Sequence, residues 1–117
     1  MQNNKETFLK VIGENPRGFT ADKNGNLQNF KRGYAVSVTN NASTDKAALI
    51  DKAFNNFKSL NRIYKNLFFG GWHDVQSGLF YLDMSLIITN RKTALMFARM
   101  HNQKAIFNFK TFEEIRV

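Results

Sequence analysis

Five side chains in this sequence could support acid–base or nucleophilic chemistry. They are His73, Asp74, Asp83, Ser85 and His101. A catalytic base needs an orienting carboxylate within hydrogen-bond reach, and neighbouring strands could supply one. However, the two histidines fall on different predicted elements, and no nucleophile-elbow pattern surrounds the serine. Two aspartates and one strand histidine also make a poor metal site. We therefore expect no catalytic residue, no metal and no cofactor.

Structural roles explain the acidic and glycine residues of this region more simply. Asp74 leads into a turn and can accept hydrogen bonds from the turn's backbone. We expect Asp83 to pair with a lysine or arginine on a neighbouring strand. Gly70 and Gly71 are typical of a bulge or close packing before Trp72. A phosphate loop would require a helix directly after the glycines, whereas a strand is predicted there.

Composition and charge restrict the classes of protein that this chain can represent. Its 117 residues suit one domain, and twelve phenylalanines must fill much of the core. The absence of cysteine excludes disulfides and thiolate sites. No apolar run approaches the roughly 20 residues of a membrane span, and the N-terminal residues do not resemble a secretion signal. We expect a protein of the cytoplasm, with no membrane partner.

A net charge of +8 favours a polyanion or an acidic protein as partner, although a merely solubilising lysine surface is the alternative. Residues 1–65 carry 11 basic and 5 acidic residues, and residues 66–117 carry 6 and 4, so the first half is the more basic. Two clusters combine basic and aromatic residues and are the candidate binding sites for nucleic acid: Lys31, Arg32 and Tyr34, and Lys58, Arg62, Tyr64 and Lys65. No known nucleic-acid-binding motif accompanies them.

Hydrophobic periodicity predicts alternating strands and helices. In order, they are a short helix at 5–12, a hairpin of strands 18–22 and 27–30, a strand at 34–39, a helix at about 44–61, a hairpin of strands 67–74 and 79–89, a helix at 91–101 capped by Asn90, and strands at 105–109 and 113–117. These elements predict one α+β domain over residues 1–117, with residues 1–16 as an N-terminal extension. We expect an antiparallel sheet of about five or six strands with two helices packed on one face.

The second hairpin and the segments after it resemble a family of short, uncharacterised proteins encoded by phages, prophages and mobile elements. The similar residues are Gly70-Gly71-Trp72-x-Asp74, Gly78-x-Phe80-Tyr81-Leu82-Asp83-x-Ser85, Asn102-Gln103-Lys104-Ala105-Ile106-Phe107 and the closing Glu114-Ile115-Arg116-Val117. The earlier segments Gly18-Phe19-Thr20 and Gly33-Tyr34-Ala35-Val36-Ser37-Val38-Thr39 are similar too, so the resemblance covers roughly residues 17–117. It implies a bacterial host cell but no particular activity.

Two functions follow as expectations. The first is a non-enzymatic accessory protein that binds a host protein or ribonucleoprotein, for example a CRISPR-type defence nuclease that it inhibits. Trp72, Tyr81 and Tyr64 are its candidate aromatic anchors, with the core as the favoured alternative place for Trp72. A charge of +8 excludes an acidic mimic of DNA. The second function is a basic module that binds RNA or DNA. The sequence leaves the oligomeric state and the spatial relation of the two basic clusters open.

Overall fold

The computed structural model describes residues 4–117, which form three helices and one antiparallel sheet of seven strands. The elements are α1 (Lys5–Glu14), β1 (Phe19–Ala21), β2 (Tyr34–Ser37), β3 (Ala42–Ser43), α2 (Lys46–Leu60), β4 (Leu67–His73), β5 (Phe80–Ile88), α3 (Arg91–Met100), β6 (Ala105–Asn108) and β7 (Glu113–Arg116). The predicted α+β class and antiparallel sheet are confirmed. The strand count is seven rather than five or six. All three predicted helices form, and α1 packs against the core instead of lying in an N-terminal extension.

The strands lie in the order β1-β4-β5-β2-β6-β7, with β3 also paired to β5. The long strand β5 is therefore central: β4 lies on one side of it, and β2 and β3 lie in succession on the other. The predicted β4–β5 hairpin forms in continuous register from Leu67–Leu86 to His73–Phe80, without a bulge. Strands β1, β2 and β3 pair directly with this hairpin, and β6 and β7 continue the sheet beyond β2.

Two hydrophobic clusters hold the helices against the sheet. The first joins Phe8 and Ile12 of α1 and Ile50 of α2 to Phe69 of β4. It also contains the side chains of β5 at positions 80, 82 and 84. The second joins alanines of α3 to Val36 and Ile106. Val36 is the Cα partner of Leu86, which packs against the first cluster, and partners in a sheet share a face. All three helices thus cover the same face.

Local signals predicted several helix ends correctly. The Asn90 side chain accepts a hydrogen bond from the Thr93 backbone N–H at 2.9 Å, which caps α3 as expected. Asp45 caps α2 in the same way through Ala48 N, one residue later than the predicted start near Thr44.

Two local predictions were wrong. The Asn-Gly hairpin at 18–30 is reduced to a single bridge between Ala21 and Leu27, and the main pairing of β1 is with β4. Residues 40–43, which were predicted to lie between a strand and a helix, contain the short strand β3, which pairs with β5. At β3, pairing with β5 satisfies backbone groups of residues that the local sequence left outside any strand.

Candidate nucleic-acid interface

The register of the sheet brings four connecting segments to the same end. Leu67 is the partner of Leu86, and Tyr34 is the partner of both Ile88 and Asn108. The chain therefore enters β4 and β2 and leaves β5 and β6 at one end of four adjacent strands. At about 4.8 Å per strand, these segments are spread over roughly 14 Å. They are residues 31–33, 61–66, 89–91 and 109–112.

These four segments contain no acidic residue and six basic residues, which we call the basic end. They are Lys31, Arg32, Arg62, Lys65, Arg91 and Lys110. All six are exposed. At the opposite end of the sheet, the connecting segments are residues 15–18, 44–45, 74–79 and 101–104. Their two basic residues, Arg17 and Lys104, are balanced in charge by two acidic residues, Asp45 and Asp74. The four segments at one end thus carry a charge of +6, whereas the four at the opposite end carry no net charge.

The two basic clusters that the sequence suggested separately meet at this end. Lys31 and Arg32 approach it from the loop before β2, and Arg62 and Lys65 follow the C-terminus of α2. Lys58 is exposed in the last turn of α2, just before them. Sequence reasoning missed Arg91 and Lys110, because only the strand order places them beside the others.

None of the six residues is neutralised within the part of the chain that the structure describes. The ion pairs among residues 4–117 join Lys5 to Asp51 at 2.9 Å and Arg116 to Glu114 at 3.9 Å. Glu113, the residue after the last segment, is the Cα partner of Asn108 and is exposed. The basic end therefore has cationic side chains available for an external anion.

A shallow cavity of about 350 Å³ lies within this end. Its lining consists of Arg32, Gly33, Tyr34, Thr89, Asn108 and Lys110. Two cations, two hydroxyls and an amide suit the oxygens of a phosphate, because charge-assisted hydrogen bonds are the strong ones. The cavity thus links one predicted cluster to Lys110.

The two tyrosines of the predicted clusters are half-buried rather than exposed. Tyr34 packs against the cluster of α3. Tyr64 packs against the first cluster, and its hydroxyl lies 3.3 Å from His101 Nε2. The His101 ring also stacks on Phe97 at the end of α3, with ring centroids 6.1 Å apart. His101 thus caps the C-terminus of α3 and packs against its last turn.

Trp72 is exposed, contrary to the favoured expectation that it is a core residue. It projects from the face without helices, 44% exposed, and stacks on its cross-strand partner Tyr81. The ring centroids are 4.8 Å apart and the ring planes differ by 8°. Because no helix covers this face, alternation along β4 directs the tryptophan into solvent.

The neighbouring motif residues have structural roles. Asp74 accepts hydrogen bonds from Gln76 N at 3.1 Å and from Ser77 Oγ at 2.8 Å, as predicted for the turn. A Cβ on Gly71 would lie 2.7 Å from Cζ of Phe19, so the glycine permits close packing of β1 on β4. A bulge is excluded by the continuous register.

Asp83 does not pair with a lysine or arginine of a neighbouring strand, as the sequence suggested. It is buried, and one carboxylate oxygen accepts hydrogen bonds from Thr39 Oγ1 and Asn41 N, each at 2.7 Å. Burial raises the pKa of Asp83 from 3.8 to about 6, partly offset by these hydrogen bonds and by the positive charge of Lys52. Both partners of Asp83 lie in residues 38–41, which connect β2 to β3. These four residues lie opposite only three residues of β5, 82–84, so the segment forms a bulge.

The residues considered for catalysis are not assembled. Within residues 4–117, neither His73 nor His101 hydrogen-bonds to a carboxylate, and Ser85 Oγ lies 3.4 Å from Ser37 Oγ. No group of three or more potential metal ligands occurs in that part of the chain. None of its helices is long and apolar enough to cross a membrane.

No family model, curated protein or solved structure matches this chain.

Proposed function

We propose that this chain is a non-enzymatic nucleic-acid-binding protein that uses the basic end. The observation that carries the proposal is the convergence of six exposed cations, with no acidic residue in their segments, at one end of the sheet. Such a patch neutralises backbone phosphates and releases their counterions, which gives affinity without requiring a sequence motif. The cavity between Arg32 and Lys110 provides a place for one phosphate.

The test is a salt titration of binding to fluorescently labelled single-stranded RNA, single-stranded DNA and duplex DNA. For a single strand, the slope of log K against log salt is about −0.7 for each phosphate contacted. The double variant Arg32→Glu/Lys110→Glu should weaken binding and reduce that slope by about 1.4 if each cation contacts one phosphate. Because both residues are exposed and unpaired, the melting temperature should not change.

The matched control is Arg17→Glu/Lys104→Glu, which changes the net charge equally but at the opposite end. Both residues are exposed. The control should retain the salt slope of the original chain. If all three probes fail to bind at low salt, or if both double variants lose affinity equally, the basic end is not a nucleic-acid site.

A second function is favoured by a separate observation, the exposed Trp72 stacked on the half-buried Tyr81 on the face without helices. Tryptophan and tyrosine are enriched among residues that dominate protein interfaces. We propose, as this second candidate, a phage or mobile-element accessory protein that binds a host factor in the bacterial cytoplasm, for example a CRISPR-type nuclease that it inhibits. The family resemblance of residues 17–117 supports this origin.

The second proposal can be tested by plasmid interference with a panel of CRISPR nucleases. Co-expression of the chain should protect a targeted plasmid from at least one nuclease, and Trp72→Thr should lose that protection. Threonine keeps the strand propensity while removing the aromatic surface. Unprotected plasmids across the panel, or full protection by Trp72→Thr, would argue against this partner and this face.

A further inference from the structure

The turn between β6 and β7 holds an aromatic side chain in an unusual position. Phe112 is 71% exposed and has a backbone φ of 58°. Glycine and asparagine adopt this left-handed conformation readily, whereas a bulky residue rarely does. The ring contacts Phe107 with centroids 6.4 Å apart, and most of its surface faces solvent. Such an outlier points to a role outside the fold.

The same turn connects Phe112 to the cavity of the basic end. The Phe112 backbone N–H donates to Asn108 O at 2.8 Å, and the Lys110 backbone N–H donates to Asn108 Oδ1 at 2.9 Å. The Asn108 side-chain amide therefore keeps its Nδ2 donor for a ligand. Arg32 and Lys110 line the cavity with it. The exposed ring and the cationic cavity are thus held by one short segment.

We infer that Phe112 is a base-stacking platform for single-stranded nucleic acid, with a backbone phosphate of the same strand held between Arg32 and Lys110. This inference rests on the nucleic-acid binding proposed above and names its substrate class. Exposed aromatic rings beside cationic grooves are the usual means of binding single strands, whose base faces are accessible. A duplex hides those faces and would use only the charges.

The experiment compares Phe112→Asn with the original chain on single-stranded and duplex probes at one salt concentration. Asparagine tolerates the left-handed conformation, so the melting temperature should stay constant or rise. Loss of one stacked base should weaken single-strand binding by roughly fivefold to a hundredfold. Duplex binding should change by less than about twofold, because phosphate contacts remain.

Ile63→Asn provides the matched control. Ile63 lies on a segment of the same end and is also 71% exposed, but its aliphatic side chain cannot stack. This variant should bind both probes as the original chain does. If Phe112→Asn lowers the melting temperature, Phe112→Leu keeps apolar bulk without the ring and should show the same selective loss.

The outcomes separate this inference from the function on which it rests. Unchanged single-strand binding by the Phe112 variants, or equal loss on both probes, overturns the stacking role. If Arg32→Glu/Lys110→Glu still weakens binding in that case, the basic end remains a nucleic-acid site. If the original chain binds neither probe at low salt, both the nucleic-acid function of the basic end and the stacking role of Phe112 are wrong.

Discussion

Replacing Asp83 by asparagine should remove a large pH dependence from the stability of this protein. The carboxylate is 6% exposed and lies at the bulge that separates β2 from β3 on the edge of β5. It holds Thr39 and Asn41, and the Asn41 side chain in turn donates to Asn56 Oδ1 of α2 at 2.7 Å. Asparagine has a similar shape and an oxygen that can accept the same hydrogen bonds.

The magnitude follows from the pKa of Asp83, which burial raises from 3.8 to about 6. A difference of about two pKa units corresponds to about 3 kcal/mol. Because the folded state holds this proton more tightly than the unfolded state, the free energy of unfolding should fall as pH rises from about 4 to about 6. Above that interval the loss is complete and the ionised carboxylate remains buried.

The assay is urea denaturation, followed by circular dichroism, at one-unit intervals from pH 4 to pH 8. The stability of Asp83→Asn relative to the original chain should increase by about 2.5 kcal/mol over this range, because about 0.5 kcal/mol of the total is already lost at pH 4. Asp45→Asn is the matched control, since it removes one carboxylate at an exposed helix cap where asparagine caps equally well. If Asp83→Asn shows the same pH profile as this control, burial of the Asp83 carboxylate does not limit stability.

The remaining predictions concern two glycines with opposite surroundings. Gly71→Ala should lower the free energy of unfolding by about 1–3 kcal/mol, because the added methyl group overlaps the Phe19 ring. Gly13→Ala should raise it by about 0.5–1 kcal/mol, since a Cβ there meets no atom within 4 Å and the residue lies inside α1. Both can be measured in the same urea titrations, and equal effects of the two substitutions would contradict the packing argument.

Local periodicity predicted the elements that form between neighbours in the chain. The strand alternation of β4 and β5 indicated their hairpin and the buried even-numbered residues of β5, which include Leu82 and Met84. The three- and four-residue spacing in α2 predicted the burial of Leu49 and Ile50. These features depend on contacts within or between adjacent elements, so the residues that specify them are visible together in the sequence.

The candidate sites depend on pairing between distant strands. The β2–β5 and β2–β6 pairings bring Arg32 beside Lys110, although 77 residues separate them in the chain. The helices all cover one face, so Trp72 lies in solvent even though its neighbours resemble a core strand.

The sequence by itself thus determined the α+β class, most of the element boundaries and the excess of positive charge. The tertiary structure decided where that charge is concentrated, which aromatic rings are exposed and which partners Asp83 has. The physical reason is that strand order and the covered face of a sheet are set by contacts between residues far apart in the chain. Composition and periodicity report only on short-range neighbours.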